Sequence, residues 1–531
     1  MTPLLGRARR EEQSRSSQQE SFNDKLPWQE LLRMAALAVD WAEQYSVLLA
    51  KYAPRVIGCT SMFYQNASSV ALLDRVKRLR PDCIAIIGGP NCEGEMAEGV
   101  LTLCDKIDFA FSGESETTFP EFLRAVRDSQ MPSRGVIAGS PMREMDAIPL
   151  PDYSEYYEQL ELFLPDSDLQ ESGVISLPYE SSRGCWWGQK HHCTFCGLNG
   201  QGMQFRAKSP DRVIADLRQL IKQHPTRLVN MCDNIMPHNY FRTLLPRLTK
   251  ELPNLRIFYE QKSNLTFEQV LLLKRAGIEL IQPGIESLST AMLQRMKKGV
   301  TARQNIALLR YGRAADVGLI WNLIYGFPGD RVIDYEQMLG FLPLLRHLQP
   351  PYGIFPVSID RFSPFFDRPE DFGITDIRPA STYYLMLPES ADARKVAYEF
   401  DANFHSESLQ TPSLIWEMKY EVAHWRKAWL KGKPPVLELE ELTHEEFRLV
   451  DSRRAADAPE ISLLTRSQAL LALTGDAERE SQDVADTIDR GWVIELDGAL
   501  VPLVTAEPVL FARLQKDIRS RGLRVLSEQV E

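Results

Sequence analysis

Apolar positions along the chain repeat with two different periods, and the alternation between those periods predicts the architecture. From Leu26 to about Ala53 the spacing is helical. Arg55–Phe63, Cys83–Gly88 and Phe109–Ser112 are then short apolar runs ending in small residues, and segments between them, such as Ser69–Leu79, return to helical spacing. That alternation predicts a parallel, doubly wound sheet. Its strand ends carry Thr60-Ser61, Gly88-Gly89 and Ser112-Gly113, which either expose backbone where open α/β sheets take ligands or only make tight turns. Arg143–Tyr157, with Pro149, Pro151 and nearby Pro141, reads as a linker.

A second alternating series begins near Val174. Its candidate strands are Val174–Glu180, Arg227–Cys232, Arg256–Gln261, Glu279–Gly284, Gly318–Tyr325 and Gly353–Ile359, each followed by room for a crossover helix. Six such units predict a partial (β/α)6 barrel. Ser209-Pro210 fits a cap with proline at the first helical position, Thr266 with Gln269 and Thr301 with Gln304 fit capping boxes, and Gly277 fits a helix stop. Beyond Pro364 the periodicity weakens, and Leu437–Arg454 reads as a solvated helix or linker. Leu464–Leu473 and Glu480–Arg490 read as helices, followed by a hairpin over Val493–Val501 around Asp497-Gly498, an order that resembles a winged helix. The plan is α/β: a tail at 1–24, a Rossmann-like domain at 25–140, a linker at 141–172, the barrel at 173–385, a helical extension at 386–455 and a winged-helix-like module at 456–531.

Composition narrows the function. At 531 residues with ordinary apolar and charged fractions, the chain suits two or three globular domains. No run of about 18 uncharged apolar residues occurs, and Met1–Asp24 lacks the apolar stretch of a secretion signal, so a cytoplasmic protein without membrane contact is expected. A net charge of −11 disfavours phosphate backbones, and nucleic acid is not an expected partner. The eight cysteines do not suggest a disulfide framework. Cys59, Cys83, Cys92, Cys104 and Cys232 read as inert thiols.

Cys185, Cys193 and Cys196 differ, because all three lie on one irregular stretch, Arg183–Gly197, directly after the first barrel strand. Barrel enzymes place their sites at that end of the strands. Three thiolates on one loop suit a soft metal site, either an iron–sulfur cluster or a zinc whose fourth ligand is His191 or His192. A four-iron cluster held by three thiolates leaves one iron open to a substrate or cofactor.

In that respect the stretch resembles the radical S-adenosylmethionine (SAM) superfamily, although seven residues and then two separate its cysteines where three and two are most frequent. The resemblance implies a [4Fe–4S] cluster on Cys185, Cys193 and Cys196. It also implies SAM contacts from Phe195, Asp233, Asn234, Glu260, Lys262, Asn264, Glu286, Ser287 and Asn322. With Gly88–Gly94, Gly113-Glu114 ahead of Phe119-Pro120, Pro151–Tyr153, Cys185–Cys193 and Arg361–Pro364, the chain further resembles the cobalamin-domain radical enzymes that mature ribosomal peptides. That likeness implies a cobalamin-binding-type N-terminal domain, shortened here by two strands, with Thr60, Ser61, Gly88, Gly89, Ser112 and Gly113 at the corrin. It implies a precursor peptide with a leader as substrate partner, C-methylation as one possible outcome, and an electron donor such as flavodoxin or ferredoxin. The C-terminal module fits peptide recognition better than DNA, since it carries Asp476, Glu478, Glu480, Asp483, Asp486 and Asp489. The alternatives are a radical enzyme acting on a small molecule and a metal- or cobalamin-dependent regulator without catalysis.

Overall fold

Residues 27–169, 174–430, 432–454, 459–476 and 482–520 are described by the computed structural model, so the tail expected at 1–24 lies outside the described residues. The chain divides into two units: Met1–Arg143 with Cys196–Gly202 and Ser358–Asn403, and Glu144–Phe195 with Met203–Val357 and Phe404–Glu531.

In the first unit, helix α1 (Trp28–Lys51) packs on α2 (Asn66–Leu79) beside a four-stranded parallel sheet. Its strands β1 (Val56–Thr60), β2 (Ile84–Gly88), β3 (Phe109–Ser112) and β4 (Gly135–Ala138) pair in that order. Alternate residues of a strand point to opposite faces. Ile57, Ala85, Ile87 and Ala110 therefore meet Leu72, Leu73 and Val76 of α2 and Ala97 and Val100 of α3 (Met96–Leu101). Ile86, Phe109 and Phe111 meet Phe122 and Val126 of α4 (Thr118–Arg127) on the other face. Burial on both faces is why these strands read as unbroken apolar runs. Strand order follows chain order, so these four strands contain no reversal of winding of the kind that opens a ligand crevice in doubly wound sheets. The sequence reading also missed β4, whose four residues are too few to show a period.

The second unit carries the barrel. Strands β5 (Ser176–Tyr179), β6 (Leu228–Met231), β7 (Arg256–Glu260), β8 (Ile278–Gln282) and β9 (Gly318–Leu319) form one parallel sheet in chain order, and β10 (Leu323–Tyr325) pairs in parallel with β11 (Ile354–Pro356). A bridge from Glu286 to Leu323 joins the two sheets. All six expected strand units are present, but Gly318–Tyr325 is two strands. Its first half pairs with β8 and its second with β11, and buried Trp321 marks the change of partner. The expected caps form on α5 (Pro210–Gln223), α6 (Phe267–Arg275) and α7 (Ala302–Ala315), with Ser209, Thr266 and Thr301 each accepting from the backbone three residues on.

The stretch expected as linker holds a helix at Ser154–Phe163 and is tied down: Asp146 accepts from the Ser209 N–H at 2.7 Å, and the Ile148 carbonyl accepts from Arg212 at 2.9 Å. The expected end of the barrel at 385 also differs, since residues 358–403 belong to the first unit. There β12 (Ile359–Asp360), β13 (Thr375–Pro379) and β14 (Glu399–Asn403) form an antiparallel sheet in the order β12-β14-β13. Strands of two to five residues between short turns carry no readable period.

In place of a wholly helical extension, α8 (Pro412–Leu430) leads into an antiparallel meander of β15 (Leu437–Glu441), β16 (Glu446–Asp451) and β17 (Glu460–Thr465). Leu437–Arg454 is thus mostly a hairpin, and Leu437, Leu439, Phe447 and Leu449 are buried at the two-residue period of a one-faced sheet. Helices α9 (Arg466–Thr474) and α10 (Gln482–Asp489) come next, then the hairpin β18 (Val493–Leu496) and β19 (Ala499–Pro502). Asp497 and Gly498 both have positive φ at its turn. Strand β20 (Thr505–Ala506) lies parallel to β15, and α11 (Pro508–Ser520) closes the described chain. Buried Arg310 of α7 locks this module to the barrel by donating to the Leu473 and Val504 carbonyls. Among the described residues no helix is long and apolar enough to cross a membrane.

Candidate active site

The loop after β5 is built outward from a buried carboxylate. Asp233, at the end of β6, accepts from the Ser181 N–H at 2.7 Å, the Ser181 hydroxyl at 2.5 Å, the Ser182 hydroxyl at 3.0 Å and the Tyr259 hydroxyl at 2.6 Å. Burial pushes its carboxyl up, against the pull of these donors. At 1% exposure and with four donors, Asp233 is engaged in holding the start of the cysteine loop, where the sequence reading had placed it on SAM. The loop's base is closed by pairing of Ser182–Arg183 with Arg206–Ala207.

Cys185 lies half-buried beyond that base, and its sulfur accepts from the Gly188 N–H at 3.3 Å. Burial pushes the thiol up, the Gly188 and Trp187 N–H groups oppose that, and Cys193 is close enough to add to the upward push. Cys193 belongs to the same unit; Cys196 follows three residues later, in the first unit. Trp187 is the loop's anchor. Its indole donates to the Lys297 carbonyl at 3.1 Å, stacks on His191 at 4.2 Å, and lies under the Lys262 ammonium at 3.9 Å. A Cβ on Gly299 would stand 2.0 Å from that ring, so only glycine leaves room for it. Lys262 also donates to the Lys298 and Gly299 carbonyls at 2.6 and 3.3 Å. The Lys262 ammonium is pushed down to about 7 by burial and by Lys298, while Cys193 and Cys185 oppose the shift.

At the neighbouring strand ends Glu260 is pushed up to about 7 by burial, with Glu286 and Asp233 acting in the same direction and Lys298 against it. Glu286 adopts φ +57°, a costly conformation for a residue with a side chain, and its carboxylate lies 3.5 Å from Lys298. Lys298 in turn lies 5.9 Å from the ring of Phe195, which meets Phe327 edge-on. The fold therefore gathers Cys185, Cys193, Phe195, Glu260, Lys262 and Glu286. It adds Lys298, which the sequence analysis missed because nothing in its helix-to-turn context distinguishes it from a solvated lysine. Ser287 is buried, its hydroxyl accepting from the Ser289 N–H and its carbonyl from Asn305, so it holds the chain in place. Asn234 and Asn264 are half-buried after β6 and β7.

Asn322 Oδ1 and Ser263 Oγ are among the buried polar atoms of this unit that have no hydrogen-bond partner among the described residues. Buried polar atoms are ordinarily satisfied, so both suit a polar cofactor. No three His, Cys, Asp or Glu side chains among the described residues are arranged to close on one metal ion. A four-iron cluster differs in taking each thiolate on a separate iron. The donor set of three cysteines fits such a cluster, and the orphaned amide and hydroxyl fit SAM.

In the first unit, parallel pairing brings the other predicted residues to one sheet edge. Thr60 pairs with Gly88, and the Ser61 N–H donates to the Gly88 carbonyl at 2.7 Å. The Ser61 hydroxyl is engaged by Asn66 and Asn91, and that of Ser112 accepts from the Gly94 N–H. Gly89 packs on Ser61 yet stays exposed, so Thr60, Gly89 and the open Gly113 are the accessible positions.

Comparison with known proteins agrees with this geometry. Residues 179–342 match the radical SAM superfamily. An uncharacterized methyltransferase of Pyrococcus horikoshii is 24% identical over 59% of this chain and 68% of its own length. The hopanoid C-3 methylase of Methylococcus capsulatus is 24% identical over 56% of this chain and 58% of its own length. The bacteriochlorophyllide d C-12(1)-methyltransferase of Chlorobaculum tepidum is 25% identical over 65% and 73%. The cobalamin-dependent SAM radical enzyme OxsB, solved with aqua-cobalamin, shares the fold with a TM-score of 0.53 at 16% identity, covering 69% of this chain and 58% of that one. Residues 179–342, which include barrel strands β6 to β10 and the loop carrying Cys185, Cys193 and Cys196, match the radical SAM superfamily, and a [4Fe–4S] cluster and SAM are the cofactors of such a domain.

Proposed function

We propose that this protein is a cobalamin-dependent C-methyltransferase acting on a small molecule. The observation that carries the reading is the presence, in one chain, of the barrel with its cysteine loop and a separate parallel sheet whose strand ends gather Thr60, Ser61, Gly88, Gly89, Ser112 and Gly113. It is supported by the names of three of the relatives, which are methyltransferases or methylases, two of them named for a hopanoid and a bacteriochlorophyllide. When bound, the cluster supplies the electron that cleaves SAM, and cobalamin the methyl group. The chain's own part is to hold these groups. Cys185, Cys193 and Cys196 hold the cluster, Ser263, Asn322 and Glu286 are the SAM contacts, and Thr60 and Gly113 face the corrin. A flavodoxin- or ferredoxin-type protein is the proposed electron donor.

The test is anaerobic reconstitution with iron and sulfide, addition of hydroxocobalamin, removal of free corrin and reduction in the presence of SAM. Wild-type protein is expected to retain the corrin absorbance and form 5′-deoxyadenosine, while Cys193→Ala forms none. Purified protein carrying zinc and no iron, with no nucleoside formed, overturns the reading; nucleoside without retained corrin removes the cobalamin part alone.

A second reading, a peptide substrate, is favoured by one feature. Among the described residues β17 ends its sheet, and it exposes Ile461 at 58% and Leu463 at 75% on one face. An unpaired strand edge with alternate apolar side chains suits an added extended peptide. Under that reading Leu463→Arg abolishes turnover of the peptide and leaves SAM cleavage intact.

A further inference from the structure

Within the first unit, the segment that begins at Cys196 packs on the β12–β14 region. Arg361 follows β12 and is only 1% exposed; its guanidinium donates to the Ala397 carbonyl at 2.8 Å, bonds the Arg394 carbonyl, pairs with Glu95 and lies 5.1 Å from the rings of both Phe366 and Phe400. Its backbone N–H donates to the Tyr398 carbonyl at 2.7 Å, so residues 361 and 398 are fixed to each other. Gly197 lies against both. A Cβ there would stand 2.0 Å from the Arg361 carbonyl oxygen and 2.9 Å from the Tyr398 hydroxyl. The Tyr398 hydroxyl is thus held beside the residue that follows Cys196. The hydroxyl is itself buried with no partner among the described residues.

A buried hydroxyl without a partner is costly, and the fold holds this one rigidly. A ligand can satisfy it by accepting its hydrogen bond. Resting on the cluster reading, we propose that the Tyr398 hydroxyl donates a hydrogen bond to the Cys196 thiolate of the cluster, making Tyr398 a positioning residue that tunes the cluster's reduction potential. Hydrogen bonds to cluster sulfurs stabilise the more negative, reduced state and raise the potential. The tyrosine suits that task better than a charged donor. Its phenol is ordinarily protonated near neutral pH, and it adds no net charge to the loop.

The test compares reconstituted holoprotein of wild type, Tyr398→Phe and Tyr383→Phe. Tyr383 donates nothing to a sulfur; its hydroxyl accepts from the Tyr398 and Glu399 N–H groups and so probes loop packing. Iron content first shows that each variant holds its cluster, which separates failure of the cluster reading from failure of this inference. In an EPR-monitored redox titration, Tyr398→Phe is expected to make the cluster roughly tenfold harder to reduce, about 59 mV for one electron, with Tyr383→Phe unchanged. The D2O shift of the iron–thiolate stretching bands is expected to be smaller in Tyr398→Phe than in wild type, the Gly188 N–H bond to the Cys185 sulfur persisting in both. An unchanged potential in Tyr398→Phe, or an equal shift in Tyr383→Phe, overturns the inference, as does a deuterium shift in Tyr398→Phe as large as that of wild type.

Discussion

The Tyr259 hydroxyl and the Asp233 carboxylate lie 2.6 Å apart, joining the ends of β7 and β6, and the same carboxylate holds Ser181 and Ser182 at the root of the cysteine loop. A contact to the SAM amino group and a structural anchor make opposite forecasts for Asp233. As an anchor, Asp233→Ala leaves several buried donors unsatisfied and lowers the stability of the protein without cofactors by about 3 kcal/mol. Thermal unfolding is the check. A normal melting temperature with lost SAM affinity would restore the cofactor role.

Glu260 gives a pH dependence whose sign follows from its environment. Its ordinary value is 4.5 and burial holds it at about 7 in the folded chain, so between these values the folded state keeps a proton that the unfolded state has released. Stability contributed by the protonated carboxyl is full below pH 4.5, falls as pH rises toward 7, and then levels. Glu260→Gln should flatten that decline, by roughly 3 kcal/mol over the window. Chemical denaturation at several pH values measures it.

Trp187 and Gly299 test the anchoring of the loop. Gly299 has φ +62° and no room for a Cβ beneath the indole. Gly299→Ala is therefore expected to displace Trp187, with several-fold lower iron incorporation on reconstitution. Gly340 is the control: it sits within the helix Val332–Phe341 with nothing within 4 Å of an added Cβ, and Gly340→Ala should raise stability by about 0.5–1 kcal/mol without changing iron content.

Arg310 tests the lock between barrel and C-terminal module. Its guanidinium is fully buried and serves two main-chain carbonyls. Arg310→Ala strands both and opens a cavity, so a loss of about 3 kcal/mol is expected by denaturant titration. A loss under 1 kcal/mol would show that the module is held by other contacts.

The sequence by itself determined the elements whose signals are local. Six barrel strand units, the caps at Ser209, Thr266 and Thr301, and the hairpin at Asp497-Gly498 follow from periodicity and turn chemistry within a few residues, and three cysteines on one loop narrow the chemistry to a soft-metal site. Tertiary structure decided everything that depends on which faces meet. The hairpin at Leu437–Asp451 reads as a charged helix until its alternate leucines are seen to pack, and residues 358–403 join the first unit through contacts distant in sequence. Asp233 leaves the cofactor set because Ser181, Ser182 and Tyr259 converge on it. Trp187 becomes an anchor only where Lys262, Lys297 and Gly299 surround it, and Tyr398 enters only because Arg361 fixes its hydroxyl beside Gly197. Burial and hydrogen-bond satisfaction depend on neighbours brought together from far along the chain, and no local pattern encodes them.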